Sequence, residues 1–307
     1  MYAAARRSLN EKIAVDWMMR KSVERKSYRS AAFYADALLR STPEVSAYVA
    51  PVLARMAEDS AARPELKKLL ATNPNWRSIF FAQLGASLTD ARTPLDLFLS
   101  LKDSAAPPTT DELNYYESFL FQHKLYELAY YVWLQFLPPE KLASAGFLFN
   151  GDFQRKPSGS RFDWRAPTGA NVIADFASRP ENASNRALAI EFGPGRVEFP
   201  GVSQSIMLPP GAYALKGSFM GEISGPRGAV WSARCIDGAN LGQSQMILGS
   251  FPNWRAFEFP LVVPEKDCAA QLIEFKLAAR SPSEKLVFGV IWFDDLAISR
   301  AATGALD

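Results

Sequence analysis

The sequence has one histidine, His123, and only two cysteines, Cys235 and Cys268. The usual zinc sites need more of these side chains than one such chain supplies. A serine or cysteine triad also needs a well-placed histidine, whereas His123 lies in a helical, aromatic-rich stretch where packing or the surface explains it. These shortages exclude much metal-dependent and nucleophilic chemistry, and we predict no catalytic residue.

Phosphate-binding and targeting signals are missing as well. There is no GxxxxGK[ST] loop and no GxGxxG after a strand, so nothing supports nucleotide binding. Basic and acidic residues nearly balance at a net charge of +2, which gives no clustered basic face for nucleic acid. No apolar run reaches the ~18 residues of a membrane span. Residues 1–7 lack the apolar core of a secretion signal, so we expect either a cytoplasmic chain or one whose signal has been removed.

A short segment, 149–153, separates two kinds of sequence. The residues before it have helical periodicity, and the residues after it have strands that alternate with glycine and proline turns. With 307 residues the chain is long enough for two cores. We therefore predict a multidomain α + β fold, with a helical domain over 1–142 and an antiparallel β-sandwich over 143–307.

Prolines and glycines mark where the predicted helices and strands end. In the helical domain, apolar stripes such as Ile13, Trp17 and Met18 predict helices, and Thr110-Asp111-Glu112 offers capping groups. In the sandwich, the tail 290–298 is expected to return beside an opening strand at 149–153, giving roughly eight strands and a jelly roll. The predicted helices are 11–25, 31–40, 44–59, 64–71, 76–88, 94–102, 110–124 and 126–137, and the other predicted strands are 187–192, 202–208, 213–220, 230–236, 256–263, 272–278 and 286–299.

One helical segment, 26–40 followed by Pro43, resembles the second half of a tetratricopeptide-type hairpin, with a small residue at Ala32. The later helices depart from the 34-residue period, so the resemblance implies a degenerate helical-repeat domain. Stacked hairpins of this kind offer a curved surface to a protein partner. A helical adaptor without a specific ligand is the alternative.

The strand-rich half resembles jelly-roll carbohydrate-binding modules of the galactose-binding-like type, as attached to xylanases and cellulases. The resemblance depends on four stretches: 150–153, 162–164, the turn at 208–213, and 293–296. Helical repeats followed by such a sandwich are also similar to extracytoplasmic proteins found with bacterial exopolysaccharide export machinery. The resemblance implies a periplasmic protein that contacts polysaccharide.

Two further expectations come with this resemblance. Related modules often hold a structural calcium ion between the opening segment and the closing aspartates, here Asp152 and Asp295, although Gln154 stands where an acidic residue is common. The alternative is that both aspartates cap turns, and no other cofactor is expected. Similar domains carry cysteines at both positions of Cys235 and Cys268, which implies a disulfide and an oxidising compartment. Two reduced, buried cysteines are the alternative.

Strand alternation suggests where a sugar could bind. Trp254 and Glu258 share one face of their strand, and Glu274 and Lys276 lie opposite the apolar positions of theirs. We expect these four residues to line one concave sheet, with an aromatic platform and charged groups for sugar hydroxyls. The alternative is a solvated face with Trp254 covering its edge. The other tryptophans of this half, Trp164, Trp231 and Trp292, are assigned to the core or its edge.

Three functions compete. The first is a non-catalytic periplasmic scaffold, in which the helical repeats engage a protein partner and the sandwich contacts polysaccharide. The second is a glycan-active enzyme, for which Glu258 and Glu274 are the only carboxylate pair that the sequence offers. The third is a structural interaction module that binds no glycan.

Overall fold

The computed structural model describes residues 12–143 and 145–301, which contain nine α-helices followed by nine β-strands. The chain divides into two compact units, a helical unit that ends at Val132 and a strand unit that begins at Trp133. The division falls within the eighth helix. The predicted domain boundary at 142/143 stays a prediction.

The eight predicted helices are all present, with described ends within four residues of their predicted positions. The predicted first residue of the first helix, Glu11, lies outside the described residues. A short ninth helix before the strands was not predicted. The helices are α1 (Lys12–Glu24), α2 (Tyr28–Ser41), α3 (Ser46–Glu58), α4 (Arg63–Ala71), α5 (Arg77–Leu84), α6 (Thr93–Leu101), α7 (Thr110–Gln122), α8 (Tyr126–Phe136) and α9 (Pro139–Leu142).

The helical unit fits the stacking of helical repeats. Helix α2 packs against α1 and α3, and α3 also packs against α4 and α5. The apolar residues of α2 recur every three or four positions, and Ala31, Ala35, Leu38 and Leu39 are buried. Further along, the packing joins helices that are not adjacent in the chain, since α5 packs against α3 and α7, and α6 packs against α3 and α4. Apolar stripes of several short helices are therefore buried together, which makes the unit stable.

A buried ion pair links two of these helices. Arg77 at the start of α5 donates from Nε to Glu112 Oε1 at 2.8 Å and from Nη2 to Glu112 Oε2 at 3.1 Å. The Glu112 carboxylate also accepts the backbone N–H of Thr109, whose side chain caps α7. The capping residue is thus Thr109, and Thr110 is already inside the helix. Both charged side chains are almost fully buried, and Arg77 also donates to the carbonyls of Ala106 and Pro107.

Replacing Arg77 with methionine is expected to lower the free energy of unfolding by about 3–5 kcal/mol, because Glu112 is left charged and buried without its partner. Urea unfolding of the purified chain measures the loss. The matched control is Arg20→Met, which removes an exposed pair with Asp16 and is expected to cost less than about 1 kcal/mol. Equal losses in the two variants would contradict the structural role of the buried pair.

The strand unit is an antiparallel jelly-roll sandwich of two sheets. One sheet has five strands in the order β1-β2-β9-β4-β7, and the other has four in the order β3-β8-β5-β6. Strands β1 and β6 were not predicted. The strands are β1 (Val172–Arg179), β2 (Asn182–Phe192), β3 (Val202–Ile206), β4 (Gly211–Ile223), β5 (Ala229–Cys235), β6 (Asn240–Gln243), β7 (Gly249–Val263), β8 (Gln271–Leu277) and β9 (Gly289–Arg300).

Aromatic rings fill the space between the two sheets. Trp231 of β5 contacts Trp164 at a centroid distance of 5.8 Å and Phe293 of β9 at 5.3 Å. Trp164 and Trp231 are fully buried, so their assignment to the core is confirmed. Edge-to-face and tilted rings of this kind add directional contacts to the burial of apolar area.

The opening segment at 149–153 is an irregular turn and not the strand that we predicted. Asn150 and Phe153 have φ values of 52°, outside the extended region. The tail does return beside it, because the Leu296 N–H donates to the Gly151 carbonyl at 2.9 Å. A Cβ at Gly151 would lie 1.9 Å from the Leu296 carbonyl oxygen, so only glycine fits at this close approach.

The predicted disulfide is present. Cys235 ends β5 and Cys268 precedes β8, and the bond joins residues separated by 33 positions. Closing a loop of this length contributes roughly 3–4 kcal/mol in the chain-entropy treatment. Among the described helices, none combines the length and apolar character that crossing a membrane requires.

Candidate functional site

The five-stranded sheet turns one face away from the aromatic core, and we call this the outer face. Side chains alternate between the two faces of a strand, so a residue between two core residues points outward. The pairing of the strands then shows which outward residues are neighbours. The outer face comprises Ile173, Asp175, Ala177, Arg179, Ala187, Ala189, Glu191, Val290, Trp292, Asp294, Ala214, Lys216, Ser218, Met220, Glu222, Trp254, Ala256 and Glu258.

Trp292 lies at the centre of the outer face, on the middle strand of the sheet. Its neighbours Ile291 and Phe293 are fully buried in the core, so the indole points the other way and is half-buried. Across the sheet its partners are Ala189 on β2 and Met220 on β4. The assignment of Trp292 to the core or its edge is therefore wrong.

A guanidinium cluster occupies one end of the outer face. Arg179, the last residue of β1, donates from Nε to Asp294 Oδ2 at 2.7 Å, and its Nη2 contacts the same oxygen. The guanidinium carbon lies 4.3 Å from the ring centroid of Trp254, a cation–π contact. The Trp254 Nε1–H donates to Glu181 Oε1 at 2.6 Å and lowers the pKa of that carboxyl. Charge and hydrogen bonding therefore orient the Trp254 indole.

A β-bulge in β9 follows directly after Asp294, which points outward because its neighbour Phe293 is in the core. The register between β4 and β9 shifts between Lys216 and Ser218, and Asp295 has a φ of 54°. The shift lets Leu296 return to the core. Burial raises the pKa of Asp294 above the ordinary aspartate value, and the hydrogen bond from Arg179 opposes that effect.

The four residues predicted to bind sugar do not come together. Trp254 and Glu258 lie on β7 in the five-stranded sheet, whereas Glu274 and Lys276 lie on β8 in the four-stranded sheet and form an ion pair of 2.9 Å with each other. Although β7 and β8 are consecutive in the chain, they belong to different sheets, so the two pairs face opposite sides of the sandwich. The expectation that they line one concave sheet is wrong.

Glu258 and Glu274 also lie on different sheets, so they cannot act together as the proposed carboxylate pair. Glu258 and Glu274 point outward from sheets that pack about 10 Å apart, so their carboxylates are separated by more than that thickness. Glycoside hydrolysis by two carboxylates needs a separation of about 5–9.5 Å. The hydrolysis hypothesis built on this pair is therefore wrong.

The predicted calcium residues have other partners. Asp152 is exposed and accepts the backbone N–H of Gln154 at 3.5 Å, and Asp295 Oδ2 lies 3.6 Å from Arg179 Nη2. Among residues 12–143 and 145–301, no group of three or more acidic, cysteine or histidine side chains can hold a metal. The side chains here do not fit a calcium site well, because a guanidinium already faces the closing aspartates. The calcium ion stays a prediction, and we derive no function from it.

An open cavity of about 620 Å³ lies beside Trp292 at the other end of the sheet. Its walls come from the end of β2, the start of β9 and the loops next to them. Apolar side chains dominate, including the exposed Leu286 and Phe288, and Glu191 is its one charged lining residue. The cavity extends the outer face past Val290.

No family model and no curated protein matches the sequence. Similar solved structures include one described as "CBM4 structure and function", at 17% identity over 50% of this chain and 99% of its own, with a TM-score of 0.36. The CBM22-1 xylan-binding domain from Paenibacillus barcinonensis Xyn10C has 13% identity over 50% and 94%, with a TM-score of 0.33. TmCBM61 in complex with β-1,4-galactotriose has 19% identity over 51% and 99%, with a TM-score of 0.33. These similarities are weak and identify no ligand for this chain.

Replacing Arg179 with methionine leaves the Asp294 carboxylate buried without its guanidinium. We expect a loss of about 3–5 kcal/mol in unfolding free energy at neutral pH. Without the opposing guanidinium the pKa of Asp294 rises further on folding. A carboxyl with a raised folded-state pKa stabilises the fold below its unfolded pKa and loses that contribution as pH rises through the folded pKa. The destabilisation should therefore shrink on acidification, as measured by urea unfolding across pH.

The double variant Arg179→Met/Asp294→Asn tests whether the unpaired charge of Asp294 causes the loss. It removes that charge, so it should recover part of the lost stability. Lys216→Met, an exposed change on the same face, is the matched control and should cost less than about 1 kcal/mol. A loss in Arg179→Met that is independent of pH and unrelieved by Asp294→Asn would rule out a buried ion pair.

Proposed function

We propose that this protein is a non-catalytic polysaccharide-binding scaffold whose sandwich holds glycan on the outer face of its five-stranded sheet. The observation that carries the proposal is the pair of outward tryptophans. Trp292 lies between Ala189 and Met220 at the centre of the face, and Trp254 is oriented by Glu181 and Arg179 at its end. Sugar rings stack their C–H faces on such indoles, and nearby polar groups bind the hydroxyls.

Polar groups for those hydroxyls lie close to both indoles. Glu258 and Lys216 face each other across β7 and β4, and Ser218 lies opposite Asp294 on the neighbouring strand pair. These side chains supply both hydrogen-bond donors and acceptors along the face. A sheet face of this composition suits an extended polysaccharide chain better than a single small sugar.

We place this activity in exopolysaccharide assembly or export in the periplasm. The disulfide supports an oxidising compartment, since such bonds are rare in the cytosol. The helical unit is proposed to engage a protein partner of that machinery. Its support is an open cavity of about 570 Å³ in the helical unit, lined by aromatic rings that include the exposed Tyr115 and the partly exposed Phe119.

Glycan binding is tested on the full chain with a panel of bacterial exopolysaccharides and plant cell-wall polymers. Trp292→Ala and Trp254→Ala should each weaken binding by roughly 10-fold or more, because a buried aromatic anchor at a binding surface contributes about 2 kcal/mol. Lys276→Ala on the opposite side of the sandwich is the control and should leave affinity unchanged. Binding that survives both tryptophan variants, or that depends on Lys276, would contradict the proposed face.

The helical partner is tested with a photocrosslinking amino acid at position 115, in cells that make the protein. We expect a discrete adduct with another protein of the export machinery. The same crosslinker at Tyr48, which is 71% exposed in the helical unit but does not line the cavity, should give no such adduct. Equal adducts at both positions would show that the cavity is not the docking site.

A further inference from the structure

We infer that the glycan held by the outer face carries free amino groups, as a partly deacetylated hexosamine polymer does. The inference rests on the proposed function, because it names the class of polysaccharide that the same face binds. It follows from the charges of the outer face and from where they lie relative to Trp292.

Carboxylates outnumber cations on the outer face. The outer face as defined above has five acidic side chains and two basic ones, so its formal net charge is −3, although the whole chain is at +2. The acidic residues are Asp175, Glu191, Glu222, Glu258 and Asp294, and the basic residues are Arg179 and Lys216. A polymer of uronic acids would be repelled by this face, whereas a cationic polymer would be attracted.

Both cations already face acidic side chains. Arg179 binds Asp294, and Lys216 stands directly opposite Glu258 on the neighbouring strand. Neither Asp175 nor Glu191 forms an ion pair within the described part of the chain. The negative charge that remains is therefore available to a ligand, and it lies on the side of the face that leads to the cavity.

In the described ranges, three carboxylates of the outer face remain without a cation, and two of them, Asp175 and Glu191, lie on the β2 side of the central indole. Asp175 lies in the same cross-strand row as Trp292, two strands away through Ala189. Glu191 lies two residues along β2 from Ala189, which makes it a diagonal neighbour of Trp292 at about 7–8 Å between Cα atoms. A sugar stacked on Trp292 can thus direct an ammonium group to either carboxylate, and the indole itself attracts cations.

The cavity beside this row favours the same ligand. Its walls are mostly apolar and include Phe288 and Val290, while Glu191 is its one charged lining residue. An amine of the next sugar unit therefore meets the Glu191 carboxylate at the rim of an apolar, open cavity. Among the described residues that line the cavity, none offers a positive charge for an acidic sugar.

The test uses the full chain and two hexamers with the same β-1,4 backbone, one of glucosamine and one of N-acetylglucosamine. Isothermal titration is run at slightly acidic pH, where sugar amines are protonated. We expect the glucosamine hexamer to bind more tightly, to weaken as salt is added, and to lose roughly 3- to 20-fold in affinity in Asp175→Asn/Glu191→Gln. The same variant should bind the acetylated hexamer as the unaltered chain does.

The matched control is Glu274→Gln on the four-stranded sheet, which should leave the preference for amines intact. If the acetylated hexamer or a neutral polysaccharide binds equally well through Trp292, the charge inference fails while glycan binding stands. If no glycan in any charge state binds, both fail. If a lysine-rich peptide binds in place of the glucosamine hexamer and depends on Asp175 and Glu191, the face is a protein interface and the inference is overturned.

Discussion

The ion pair between Arg179 and the buried carboxylate of Asp294 determines the shape of the outer face. It joins an edge strand to the middle strand of the sheet, where Asp294 points outward because it follows the core residue Phe293. The guanidinium then supports the Trp254 indole, so one charge pair fixes both the sheet edge and one aromatic platform. Burying a charge pair is costly unless the geometry is good, which is why the hydrogen bonds to Asp294 matter.

Because side chains alternate along each strand, some aromatic residues of the sandwich pack in the core and others face outward, where they can contact a ligand. Phe293 and Trp231 fill the space between the sheets, while Trp292, one position away from Phe293, faces outward. The disulfide closes the loop before β8 and stabilises the opposite sheet. A rigid core under a polar face is a suitable scaffold for an extended polymer, because little side-chain freedom must be lost on binding.

The sequence predicted the helices and most strands because their apolar periodicity and proline punctuation are local signals. It missed β1, whose aspartate, serine and arginine dilute the strand pattern, and β6, which has only four residues. The error over Glu274 and Lys276 has a different cause. Alternation shows which residues share a face of one strand, but the assignment of β7 and β8 to different sheets depends on long-range pairing. Arg179 was missed with β1, and Trp292 was assigned to the core because its apolar neighbours concealed the alternation.

The central claim is that outward tryptophans hold glycan, and fluorine NMR of the full chain labelled with 5-fluorotryptophan tests it most directly. The chain has seven tryptophans, and single Trp→Phe variants assign their resonances. On addition of a bound glycan the account predicts shifts for Trp292 and Trp254, with the buried Trp164 and Trp231 unchanged. Shifts confined to tryptophans outside the five-stranded sheet, with Trp292 and Trp254 unmoved, would contradict it.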